Sequence, residues 1–184
     1  MLDKTFVPVK PFSNFKWQWA CLTCTEGLND PVVLLGVLQR MYKLERSHLH
    51  FSSSEFAHEM DDLTKDVVNA GLNVDLRSGS RNLIRNSGQY WKAVRLIPKE
   101  THGMIELTDF GREVASHQIS QAEFAAVTIQ TLTLPNTAIM SPAICRDWTS
   151  HGLFLTPLKL LLQVIYELLS LIHISEPTRL RCIS

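Results

Sequence analysis

Between Leu72 and Lys99 the chain carries Arg77, Arg81, Arg85, Lys92, Arg95 and Lys99 against the single carboxylate of Asp75. That concentrates five net positive charges in one stretch of a chain whose formal net charge is zero. Ser80, Asn82, Asn86, Ser87 and Gln89 are interleaved with them. The paired donors and acceptors of Arg, Asn and Gln match the guanine and adenine edges in a major groove. Ser, Lys and further Arg side chains suit phosphate oxygens. The residues placed to do this chemistry are Arg77, Ser80, Arg81, Asn82, Arg85, Gln89, Lys92 and Lys99. Arg81 and Arg85 are one helical turn apart and share a face, and Arg77 extends that face if the helix starts early.

Other constellations are weaker. Cys21-Leu22-Thr23-Cys24 has metal-ligand or redox spacing, but no second cysteine pair completes a four-ligand zinc site, and a redox role lacks its βαβ context. His48, His50 and His58 read as surface or loop histidines. Glu55, Glu59, Asp61, Asp62 and Asp66 read as the solvated outer face of a helix. No phosphate-binding glycine loop, dinucleotide fingerprint or nucleophile elbow occurs. The expectation is therefore no catalytic residue, no metal and no cofactor in this stretch of protein.

The elements that must position the basic stretch follow from caps and periodicity. Asp30-Pro31 opens a helix with an N-cap and a proline at its first position, continued by Val33, Leu34, Val37, Leu38, Met41 and Leu44 at steps of three and four. Ser52-Ser53-Ser54-Glu55 fits a capping box with Phe51 as its staple. Phe56, Met60, Leu63 and Val67 continue that helix, and Gly71 ends it. A third, basic helix begins near Ser78 or Ser80, with Leu83, Ile84, Tyr90, Trp91 and Val94 on its core side. Gly88 marks a bend in it, or the end of a shorter helix. Val94 to Ile97 and Met104 to Leu107 then flank the loop Lys99 to Gly103 as a β-hairpin, and Thr108 caps a further helix. Beyond it, Ser120-Gln121-Ala122-Glu123 is another capping box, Pro135 ends that helix, residues 136–152 read as loop, and Thr156-Pro157 opens a last, very apolar helix.

Helix, helix, basic helix and hairpin in this order outline a winged helix-turn-helix, whose third helix usually enters the major groove. The expected fold class is mainly α: a winged helix-turn-helix with a small antiparallel β-hairpin plus a C-terminal helical extension. The expected organisation is an N-terminal arm over residues 1–30, the winged-helix domain over 31–116, a helical extension over 117–170, and a non-native tail over 171–184.

The run Gln89-Tyr90-Trp91-Lys92-Ala93-Val94-Arg95-Leu96-Ile97, then Ile105-Glu106-Leu107-Thr108-Asp109-Phe110-Gly111, resembles the recognition helix, wing and L-T-x-x-G segment of winged-helix regulators. The continuation from Glu123-Phe124-Ala125-Ala126 through Leu134-Pro135-Asn136 to Pro157-Leu158 resembles DNA-recognition regions of prokaryotic restriction and defence proteins. These resemblances imply a non-catalytic DNA-binding module of a longer restriction-modification or defence-type protein. Its partners would be double-stranded DNA and a C-terminal effector domain of the same chain. The alternative is a winged-helix protein-interaction module, in which the basic helix docks an acidic partner. The segment Leu171 to Leu180 resembles translated sequencing-adapter DNA.

Composition sets the outer bounds. With 184 residues, 45% of them hydrophobic and 20% charged, the chain can bury a core. Zero net charge means that any nucleic-acid reading must rest on local charge. The N-terminal stretch has no apolar signal-peptide region, so the four cysteines read as cytosolic thiols and the expected location is cytoplasmic. No membrane partner is expected, because Lys159, Gln163 and Glu167 draw a polar stripe along the last apolar helix.

Overall fold

Asp30 and Pro31 start the first helix as a pair. The Asp30 carboxylate accepts the Val32 amide at 2.8 Å, and Pro31 fills a position whose N–H would have no helical partner. The computed structural model describes residues 12, 13, 15, 30–72 and 88–175. Among them the order is α1 (Pro31–Leu44), a 3-10 turn (Glu45–Ser47), α2 (Ser54–Asn69), a helical run at 88–93, α3 (Asp109–Ala115), α4 (Gln121–Thr131), α5 (Pro142–Ser150) and α6 (Pro157–Ser175). The chain is mainly helical, as expected.

The starts of α1 to α5 are local side-chain caps. Ser53 accepts the Phe56 amide for α2 at 3.2 Å, one residue later than the sequence box suggested. The Phe51 ring meets Phe56 edge-on at 5.4 Å. Ser120 and Glu123 form a complete capping box on α4. Gly71 closes α2 at φ 84°. Its amide donates to Val68 and that of Leu72 to Val67, the pair of bonds that satisfies a helix's last carbonyls.

Two apolar clusters result. The first holds Val33, Val37, Leu38 and Met41 of α1, Phe56, Met60 and Leu63 of α2, Trp91, Leu96, Ile105, Leu107 and Val114. The second gathers Phe15, Ala93, Leu132, Leu134, Ile139, Met140 and Trp148. Ala93 belongs to the second and its neighbour Val94 to the first, so the end of the 88–93 helical run is shared between them.

The expected β-hairpin wing is absent: among the described residues there is no strand, only the isolated antiparallel bridges His50–Met104 and Leu134–Leu155. The reason is where the amides go. Those of Leu96 and Ile97 both turn back to the Trp91 carbonyl, at 2.8 and 3.5 Å. Pro98 has no N–H to offer, and Arg95 sits at φ 67°, outside the extended region. The second half of the intended hairpin pairs elsewhere. The Phe51 amide donates to Gly103 and the Ile105 amide to Leu49, at 2.8 and 2.9 Å. The winged-helix description therefore does not hold for this chain. Residues 136–152 also differ from expectation, because Ser141-Pro142 opens α5, its hydroxyl accepting the Ile144 amide.

The Leu107-Thr108-Asp109-Phe110-Gly111 run is explained by contact. Leu107 is buried, and Thr108 caps α3 by accepting the Gly111 amide at 2.9 Å. A Cβ on Gly111 would stand 2.2 Å from the Leu96 carbonyl oxygen. No rotamer can relieve that clash, because both groups are backbone. Gly111→Ala should therefore force α3 away from the 91–97 turn and cost roughly 1–3 kcal/mol, the range for overpacking a core. Urea denaturation checks this, and a change below about 0.5 kcal/mol, the scatter of inconsequential surface substitutions, would refute it.

Candidate nucleic-acid interface

Of the eight candidate contacts, Arg77, Ser80, Arg81, Asn82 and Arg85 lie outside the described residues. Gln89, Lys92 and Lys99 lie within them. Gln89 is exposed on the 88–93 helical run, next to residues that hold that run in place, since Trp91 is fully buried and Val94 nearly so.

Lys92 has a different task from the one expected of it. Its Nζ donates to the carbonyls of Lys99 at 2.9 Å and Thr101 at 2.7 Å. One ammonium thus gathers the 98–101 loop onto the helix, in the place where a hairpin was expected. The Lys99 Nζ reaches the Thr137 hydroxyl at 3.1 Å, tying the same loop to the segment between α4 and α5. Lys99 remains exposed, as does Arg95. Lys92 is half-buried and its charge is engaged within the fold.

The acidic face of α2 was expected to be solvated, but Glu59 is only 12% exposed and pairs with Lys43 and, at 3.4 Å, with Arg40. Arg40 also bonds Asp66 at 2.7 Å. Two cations of α1 therefore neutralise part of α2, a pairing 16 or more residues apart that helix periodicity does not reveal. On the other side of α1, Glu45 accepts the Leu107 amide at 2.8 Å and a two-pronged contact from Arg112 at 2.9 Å on each prong. Burial pushes its carboxyl up, but the Arg112 hydrogen bond, the Leu107 amide and the Arg112 charge outweigh that and hold it below the ordinary glutamate value.

Among the described residues, no three His, Cys, Asp or Glu side chains converge on a metal-sized site. Cys21 and Cys24 lie outside those residues, and Cys145 carries a free thiol. Among the described residues no helix is long and apolar enough to cross a membrane.

The surface nevertheless has a strong apolar feature. On α6, Leu160, Leu161, Leu162, Val164, Ile165, Tyr166, Leu168 and Leu169 are all at least 43% exposed. Between α1 and α4 lies an apolar cavity of about 640 Å³, which Tyr90 and Val114 also line. Phe124, which lines it, and Val127 on the same helix are only half-buried. No family model, no curated protein and no solved structure matches the chain.

Proposed function

We propose that the chain is a double-stranded-DNA-binding module whose main contacts are Arg81 and Arg85. The observation that carries this is charge concentration. The stretch from Leu72 to Lys99 holds five net positive charges in a chain that nets zero, while carboxylates of α2 are consumed by Arg40 and Lys43. Both ends of the stretch are anchored. Leu72 completes the end of α2 and packs against the first cluster, and Trp91 is buried in that cluster. A rigid support on each side lowers the ordering cost of placing side chains against a groove. Arg77, Ser80, Asn82 and Gln89 support the two arginines, and Lys99 supplies a further phosphate contact. Lys92 contributes by shaping the loop that carries Lys99. The resemblance to recognition regions of restriction and defence proteins supports reading this module as the partner of an effector domain.

The test is fluorescence anisotropy with duplex DNA at two salt concentrations. Arg81→Ala with Arg85→Ala should abolish tight binding and leave the circular dichroism spectrum native. If either arginine reads guanine, its loss alone should cost roughly 1–3 kcal/mol and relax specificity at one base pair. A phosphate contact would instead weaken all sequences alike and reduce the salt slope by about one. Unchanged affinity in the folded double variant would reject the reading.

A protein-interaction module is the second reading, and α6 favours it. A helix that is apolar around most of its circumference normally works buried.

A further inference from the structure

We infer that two copies of the chain form a reciprocal dimer, in which α6 of each lies in the open cleft between α1 and α4 of the other. The inference rests on the protein-interaction reading of α6 and not on the DNA reading. The width of the apolar face of α6 is the first observation. At 3.6 residues per turn, Leu160 and Tyr166 bound an apolar arc of roughly 240°. Lys159, Gln163, Glu167 and Ser170 fill the remainder as one narrow polar stripe. A helix laid on a single neighbour buries a stripe of about 100°, so one laid between two neighbours buries about twice that. The arc of α6 therefore calls for a two-walled groove, with the polar stripe left in water. Yet the eight apolar side chains between Leu160 and Leu169 are each at least 43% exposed.

The second observation is that the same chain carries such a groove. The cleft of about 640 Å³ has α1 and α4 as its walls. It is open to solvent past Val32 and Ala125, which are both exposed. Leu35 and Phe124 line it and are only half-buried. No Asp, Glu, Lys or Arg lines it, so an apolar helix face meets no charge that it would have to desolvate. An apolar helix in an apolar groove is a recurrent docking mode.

The third observation selects a second copy as the occupant. Leu158, in the first turn of α6, lines the cleft of its own chain. From there α6 runs on unbroken, and residues 159–169 are all exposed. A continuous helix cannot turn back into the groove that its own first turn borders. The helix of another copy can, and a twofold exchange satisfies both surfaces in both copies and closes at two.

Sedimentation of the full chain tests this. The wild type should dimerise. Leu161→Lys with Ile165→Lys, at the middle of the α6 arc, should weaken the dimer at least tenfold. Ala125→Glu in the cleft should do the same, and so should Ala125→Trp, which fills the cleft without adding charge. All these positions are exposed, so each variant should keep a native circular dichroism spectrum. Mixing the lysine variant with Ala125→Glu should restore a dimer. One intact helix then meets one intact cleft, and in the other half lysines meet the glutamate. A wild type that stays monomeric up to its solubility limit would overturn the inference and leave α6 to a different protein partner. A dimer lost in the α6 variant but kept in both Ala125 variants would also overturn it, assigning the contact to α6 against α6. So would failure of the mixed sample to recover.

Discussion

Trp91→Ala is expected to lower stability by about 3–5 kcal/mol, the range for removing a large buried aromatic. Against a typical total of roughly 5–15 kcal/mol, that is enough to leave a sizeable unfolded population. The size follows from position. Trp91 is fully buried, and its carbonyl accepts the amides of both Leu96 and Ile97. The side chain therefore fixes the turn that presents the Leu96 carbonyl to α3, and the loss spreads to the Gly111 contact. Trp91→Phe separates packing from polarity. The Trp91 indole N–H is buried without a partner, so the phenylalanine loses volume but also sheds an unpaired donor, which alone costs roughly 1–3 kcal/mol. Its net effect should be less than half that of the alanine. Urea denaturation of the three proteins checks this. Equal losses in Ala and Phe would show that the indole nitrogen matters through some partner.

Glu45→Gln is expected to destabilise at neutral pH by about 1–3 kcal/mol, the cost of stripping a partner from a charged hydrogen-bonded group. The effect should fade in acid. Glu45 is 16% exposed at its side chain and bridges the end of α1 to the Leu107 amide and the Arg112 guanidinium. Its folded carboxyl is held below the ordinary value chiefly because, against the upward push of burial, Arg112 and the Leu107 amide favour the ionised form. A carboxyl depressed in the folded state contributes stability above its unfolded value and loses it as pH falls through the folded value. Wild type and Glu45→Gln should therefore differ at pH 7 and converge below the depressed folded value. A gap that persists unchanged in strong acid would mean that shape, and not charge, is what Glu45 supplies.

The helix starts were legible because each is a local event. Asp30, Thr108 and Ser120 all bond an amide two or three residues on, a distance that sequence displays directly. Ser53 was off by one because three serines in a row offer three equivalent hydroxyls. Ser141-Pro142 carries the same signal as Thr156-Pro157, but α5 is a short helix, Pro142–Ser150, with Trp148 its one buried residue. The hairpin failed for a different reason. Short apolar runs at 94–97 and 104–107 specify burial, and Leu96, Ile97, Ile105 and Leu107 are indeed buried. Burial does not choose hydrogen-bond partners. Two backbone bonds to Trp91 and the Lys92 ammonium made that choice, and neither has a signature in hydropathy. In the candidate site, charge concentration was readable from composition alone. The engagement of Lys92, the pairing of α1 cations with α2 carboxylates and the cavity all depend on contacts between elements distant in sequence.

The paired clusters also give the molecule two internal optical reporters. Trp91 sits in one and Trp148 in the other, 0% and 4% exposed, each with an indole N–H that meets no acceptor. An indole shielded from solvent dipoles emits toward the blue, and moves to the red when water reaches it. The emission lost in Trp91→Phe therefore belongs to the helical cluster of α1 and α2, and that lost in Trp148→Phe to the cluster around α5. Coincident red shifts of the two during denaturation would identify the clusters as one cooperative unit; separated shifts would identify a boundary running between Ala93 and Val94.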